Sequence, residues 1–273
     1  MFTLANINVK NKVLTSKYDG GEMPKILSHI IKERQIDIIC AEEVTPNYVE
    51  KLMSYLPNYQ LTGKYRLTKK EIFENHSNES NPIITNQKVI ETNTYSLSKN
   101  IWMLGKRSFL SLLPRIATVT TIEINNSIIT IINTHLDHLT DIARKKQLEY
   151  LKQIIEKYRK NQIILTGDFN LNEDNPLFIK FAKEMEKQNL KLIKTNTSTF
   201  NNPFASLQKG PLKNFIITSP DHIFTSRSLK IIETKVLEDQ ISDHKMILTL
   251  SLIHISEPHE TSAHLVCRLL LEK

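Results

Sequence analysis

Asp168 and Asn170 stand two residues apart at the end of the apolar run Ile163-Ile164-Leu165-Thr166-Gly167, the pattern of a strand that delivers polar groups to a rim. If the extended geometry continues, their period-two spacing aims an anion and a neutral hydrogen-bonding group at one place, while Phe169 turns into the core. Alone, the motif is explained equally by an Asp/Asn turn after a buried strand. The chain, however, repeats the arrangement. Asn8, Glu43 and His135 each close or follow a run of strand-like residues, and Asp221 and Asp243-His244 stand just before such runs. In a mixed sheet, strands of opposite sense bring an end and a beginning to one edge, so all these groups can share a rim.

Acidic and amide oxygens with imidazoles, and no thiolate, suit a hard divalent ion such as Mg2+ or Mn2+, which keeps several waters and also binds phosphate. Glu43 is the best candidate ligand. In-line attack of water on a phosphodiester needs a base or orienting anion, donors for the charge that builds on the phosphoryl oxygens, and an electrophile. His244 can take the proton if a buried carboxylate holds its other ring nitrogen, and Asp221 is the candidate for that partner.

The elements that must position these groups follow from periodicity and turn residues. Phe2 to Val9 reads as a strand with Asn6 and Asn8 on one face, and Ile36 to Val44 as a nearly buried strand ending in Glu42-Glu43. Helices are expected from Met23 to Arg34, from Pro46 through Leu56, from Ile142 to Tyr158 and from Pro176 to Leu190. Further strands fall within Pro82 to Leu97 and at Arg115 to Ile124, the latter joined to Ser127–Thr134 by an Asn125-Asn126 hairpin. Leu61 to Ser80 reads as a long surface loop, Thr195 to Asn214 as a polar loop and Met246 to Leu252 as the closing strand.

With 273 residues, 40% of them hydrophobic, the chain can bury a sizeable core, and it shows no internal repeat or linker, so one domain is drawn over residues 1–252. Residues 253–273 break the pattern, read as foreign to the domain, and are excluded despite their histidines. Cys40 and Cys267 support neither a disulfide framework nor a cysteine zinc site. No run has the length of a membrane span and no signal peptide opens the sequence, so a cytoplasmic protein is expected. The net charge of +7 suits a phosphate-bearing partner, although lysines scattered over helical faces account for much of it.

Taken in order, N-I-N, A-E-E-V, N-T-H-L-D-H, T-G-D-F-N, P-D-H-I-F and S-D-H resemble the motif set of the endonuclease/exonuclease/phosphatase superfamily across about residues 2 to 250. The resemblance implies an α/β fold, a four-layer α/β/β/α sandwich with two mixed β-sheets, and divalent-metal-dependent hydrolysis of a phosphoester in a nucleic acid or a phosphorylated small molecule. It implies that Glu43, with Asn8 and Asp243, binds Mg2+ or Mn2+ and that His244, oriented by Asp221, is the catalytic histidine. Asp168 would orient or activate the water, Asn170 contact the oxyanion, and His135 stabilise the phosphate. Asn6, Arg115 and Arg144 fall on the substrate side. The chain departs from the pattern at Asn8, where many relatives carry Asp, and at Pro220, where an aliphatic residue commonly precedes the Asp. Two other readings compete: a dizinc hydrolase using Asn133 to His138 as a degraded H-x-H-x-D-H motif, and a catalytically silent phosphate-binding relative. Neither a basic or aromatic insertion for duplex DNA, an apolar hairpin for membranes, nor an obligate protein partner is evident in the sequence.

Overall fold

The structure, a computed structural model, describes residues 1–10, 22–67, 78–203, 216–239 and 241–253. One six-stranded sheet has the order β11-β12-β1-β2-β4-β3, formed by β1 (Phe2–Asn8), β2 (Ile38–Glu42), β3 (Gln60–Thr62), β4 (Ile83–Thr85), β11 (Leu229–Val236) and β12 (Ile247–Ile253). The other has the order β5-β6-β7-β8-β10-β9, formed by β5 (Lys88–Ser96), β6 (Ile116–Ile124), β7 (Ser127–His135), β8 (Gln162–Asp168), β9 (Leu190–Ile193) and β10 (Asp221–Ser226). Both sheets are mixed: β1 runs parallel to β2 and β7 parallel to β8, with antiparallel neighbours on either side.

Side-chain alternation sorts these strands into layers. Ala5, Ile7, Ile39 and Ala41 face outward onto α1 (Met23–Glu33) and α2 (Pro46–Tyr55), which contribute Leu27, Ile31 and Leu52. Ile132, Ile163 and Leu165 face outward from the second sheet onto α3 (Asp141–Lys157) and α4 (Pro176–Lys187), which contribute Leu151, Ile154, Phe178 and Phe181. Phe2, Leu4, Ile38, Cys40, Ile129, Ile131 and Ile164 fill the seam between the sheets. The result is the expected α/β/β/α sandwich.

The seam changes character along each strand. In β1 the inward-facing residues run Phe2, Leu4, Asn6, Asn8; in β2 Ile38, Cys40, Glu42; in β7 Ile129, Ile131, Asn133, His135; in β8 Ile164, Thr166, Asp168. Aliphatic side chains thus give way to polar ones toward one end of the sandwich. Asn133 Nδ2 donates across the seam to the carbonyls of Ala41 (2.9 Å) and Pro82 (3.2 Å), and the Thr62 and Thr120 hydroxyls meet at 2.7 Å.

Two expectations are corrected. The stretch from Leu61 is not simply surface loop, because β3 closes one edge of a sheet and Thr62, Arg66 and Ser80 are buried. Extended geometry also stops at Asp168: Asn170 adopts φ +52, and its amide N–H turns back to Asp168 Oδ1 at 2.9 Å. The tail expected to be foreign lies outside the described residues from 254 onward, as do parts of both long loops.

Candidate active site

Parallel pairing sets His135 opposite Asp168, and antiparallel pairing sets Asp221 opposite the same residue. Gly167 makes the first pairing possible. Its φ is +142, and a Cβ there would lie 1.9 Å from the Thr134 carbonyl oxygen, so only glycine lets β8 deliver Asp168 against β7. From the facing sheet, Asn8 Nδ2 donates to Asp168 Oδ2 at 2.9 Å and to Glu43 Oε1 at 3.1 Å. Glu43 follows β2 in a left-handed conformation, φ +58, which turns the chain at the rim.

Asp168 Oδ2 is the centre of the arrangement. His135 Nε2 lies 3.7 Å from it and His244 Nε2 3.8 Å, separations that leave room for a bridging water or substrate oxygen. His244 Nδ1 donates to Asp221 Oδ2 at 2.9 Å, and the Thr199 hydroxyl donates to the same oxygen at 2.7 Å. The Phe200 ring packs on the imidazole with centroids 4.7 Å apart. Ser242 ties this loop to β1 by donating to the Asn8 carbonyl at 2.6 Å. The cavity, about 390 Å³, is lined by Glu43, Asp168, Asn170, His135, Asp243 and His244.

Burial alone would lower the His244 pKa, but the Asp221 carboxylate, aided by Asp168 and Asp243, outweighs it and pushes the imidazole up to about 10. His135 moves the other way. Burial, then the positive charge of Arg115 and Arg66, holds it well below the usual histidine range, so it is a neutral donor or acceptor at pH 7. Burial also raises the Asp168 carboxyl, with Asp221 adding to the rise and His244 opposing it. Glu42 is raised well above the usual carboxylate range by burial and by the Asp221 and Asp168 charges, while Asn6 Nδ2 donates to its Oε1 at 2.7 Å.

Seven of the eleven residues singled out from the sequence line this cavity, Asn8 and Asp221 bond to that lining from beneath, and Asn6 and Arg144 do neither. Asn6 is fully buried beneath it, committed to Glu42. Arg144 spends its guanidinium on Asp141 Oδ1 (2.6 Å) and the Asp137 carbonyl (2.9 Å) and lines a neighbouring groove. Arg115 reaches the cavity, with Nη2 3.1 Å from His138 Nδ1. Sequence reasoning missed Lys10, which pairs with Asp243, and Arg66, which pairs with Glu79 at 2.6 Å; both pairs lie on the cavity wall. It also missed Thr199 and Phe200, whose polar-loop context carries no signal.

Among the described residues, two sets of side chains could hold a cation. Asp168, Asp221 and His244 offer ligand atoms all within 4.8 Å of one another, but Asp221 and His244 already satisfy each other. The second set is Glu43, Asn8 and Asp243. Its carboxylate and carboxamide oxygens suit a hard ion: the buried Asp243 Oδ1 has no hydrogen-bond partner, the Lys10 ammonium lies on the other oxygen of that carboxylate, where positive charge is favoured, and Asn8 Oδ1, which accepts from the Lys10 backbone N–H at 2.9 Å, keeps a second lone pair for an ion. These residues fit Mg2+ or Mn2+. Asn133 and Asp137, needed for the dizinc reading, are engaged elsewhere, Asn133 across the seam and Asp137 with the Ser111 hydroxyl at 2.7 Å.

A sequence model of the Endonuclease/Exonuclease/phosphatase family matches residues 6–244. No curated protein matches the sequence significantly. Among solved structures, a mannosyl-6-phosphatase from Bacteroides thetaiotaomicron superposes with a TM-score of 0.77 at 20% identity, covering 93% of this chain and 100% of that one. The catalytic domain of human Nocturnin, with bound sulfate, gives 0.69 at 17% identity, covering 92% and 93%. TDP2 from D. rerio, complexed with single-strand DNA product, gives 0.65 at 14% identity, covering 92% and 98%.

Proposed function

The chain belongs to the endonuclease/exonuclease/phosphatase family, and from that premise we propose that it hydrolyses phosphoester bonds with a divalent metal ion, Mg2+ or Mn2+, held by Glu43, Asn8 and Asp243. The observation that carries this reading is the convergence of Asn8, His135 and His244 on one oxygen of Asp168. When bound, the metal supplies Lewis-acid polarisation of a phosphoryl oxygen. The remaining work falls to side chains. Asp168, its basicity raised by burial, orients the attacking water and takes its proton. His135 and Arg115 donate to the non-bridging oxygens, where charge accumulates. His244 is held protonated by Asp221, so in this state it gives its Nε2 proton to the departing oxygen instead of taking one from water. One P–O bond forms to water, one breaks to the alcohol, and each proton has a named carrier.

The test is hydrolysis of a soluble generic phosphodiester with and without metal. EDTA should abolish turnover and Mg2+ or Mn2+ restore it. Recovery with Zn2+ alone would support the dizinc reading, and no turnover with any of these ions would support the silent binding protein.

A further inference from the structure

The loop between β5 and β6 inverts the usual order of burial. In Ser108-Phe109-Leu110-Ser111-Leu112 the two serines are buried, whereas Phe109, Leu110 and Leu112 are 68%, 52% and 56% exposed. Single exposed apolar residues are ordinary, but three among four consecutive positions, held outward by the loop's own bonds, are not. Gln147 Nε2 donates to Ser108 Oγ at 2.8 Å and the Ser111 hydroxyl to Asp137 Oδ2 at 2.7 Å, which pins the small polar side chains inward. Leu110 sits at φ +59, a left-handed conformation that a leucine adopts only at a steric cost. Arg107, exposed beside these residues, donates to the Leu112 carbonyl at 3.3 Å, and Lys106 is exposed next to it.

The loop's position gives it meaning. Leu113 and Arg115, which continue it, line the catalytic cavity. Across His138, which borders both that cavity and the adjoining groove, Leu139 and Ile142 form a second exposed apolar edge, followed by the exposed Lys145. Asp141, exposed between Leu139 and Ile142, is paired with Arg144 at 2.6 Å, which leaves Lys106, Arg107 and Lys145 to set the charge; apolar side chains flanked by net positive charge match the boundary between acyl chains and anionic headgroups. A nucleobase platform would instead call for stacked aromatic rings; of these five apolar residues only Phe109 is aromatic, and the loop's other exposed ring, Trp102, is engaged by Tyr95 and by the Lys157 ammonium 4.4 Å from its centroid.

We propose that this surface docks the protein on an anionic lipid bilayer, with the mouth of the catalytic cavity beside the membrane. The inference goes beyond the phosphoesterase reading and does not depend on it. The experiment is flotation of the full chain with phosphatidylcholine vesicles, with and without about one-third phosphatidylserine, alongside hydrolysis of the soluble phosphodiester. The wild-type protein should float with the anionic vesicles at least tenfold more than with the neutral ones. A Phe109→Ser/Leu110→Ser/Leu112→Ser variant should lose that binding at least tenfold while hydrolysing the soluble diester at the wild-type rate, and His244→Ala should float normally. Failure of the wild type to float, or flotation undiminished in the loop variant, overturns the docking surface. Loop-dependent binding of a single-stranded oligonucleotide in place of vesicles overturns it in favour of nucleic acid. Vesicle binding without hydrolysis of any soluble diester leaves the docking surface standing and rejects the catalytic reading.

Discussion

His244 is the side chain on which the proposed chemistry turns most directly, because its imidazolium is held by Asp221 and faces Asp168 across 3.8 Å. Replacing it with Ala removes a positioned acid without touching any strand, so metal-supported hydrolysis should fall by about two or more orders of magnitude while the circular dichroism spectrum is unchanged. Wild-type turnover in that variant would remove the assigned role. At this scale the sequence was legible where a motif closed or preceded a strand: Glu43, His135, Asp168 and His244 all reach one cavity. It was illegible where side chains arrive from loops. Arg66, Lys10 and Thr199 have no spacing that betrays them, and their roles depend on Glu79, Asp243 and Asp221, each distant in sequence. Arg144 shows the opposite failure, a cation near the motif whose donors are consumed by its own helix start.

Strands and helices set the precision of the site, and Gly167 is its most constrained point. A methyl group there would meet the Thr134 carbonyl at 1.9 Å, so Gly167→Ala must separate β7 from β8 or twist them. The expected cost is more than about 3 kcal/mol, read as a lower urea midpoint, and a variant of wild-type stability would contradict it. A second element-scale consequence concerns His222 on β10. Its Nε2–H donates to the Leu171 carbonyl at 2.7 Å and its ring lies on Phe178 with centroids 4.0 Å apart; burial lowers its pKa to about 4. The unfolded chain binds the proton more readily, so this contribution is complete above the ordinary histidine pKa near 6.5 and is lost as pH falls from there to about 4. The loss amounts to about 3 kcal/mol, and His222→Gln should flatten that part of the urea-midpoint profile. Alternation and turn residues revealed the central strands, but β3, β9 and β11 were not separated from their surroundings. All three are sheet edges, where a short or half-exposed strand carries little of the apolar pattern that marks a central one.

For the molecule as a whole, neither sheet holds a complete site: Asn8 and Glu43 come from one and His135, Asp168 and Asp221 from the other. The convergence was foreseeable only because mixed sheets bring strand ends and beginnings to one edge; which loops would wall the cavity depended on packing that no local pattern encodes. The aliphatic-to-polar change along the seam bears on how such a molecule breathes. Leu4, Ile38, Ile131 and Ile164 belong to the buried apolar cluster of the seam, and hydrogen-bonded polar groups occupy the opposite end, so thermal opening should begin at the mouth and stop at a greasy spine. In D2O, backbone amides at Leu4 and Ile131 should exchange by global unfolding, and those at Asn8 and His135 by faster, smaller excursions. Uniform protection along these strands would show that the sandwich opens all at once. A graded pattern would mean that the protein can admit and release its ligands without loosening the grip that keeps its two halves together.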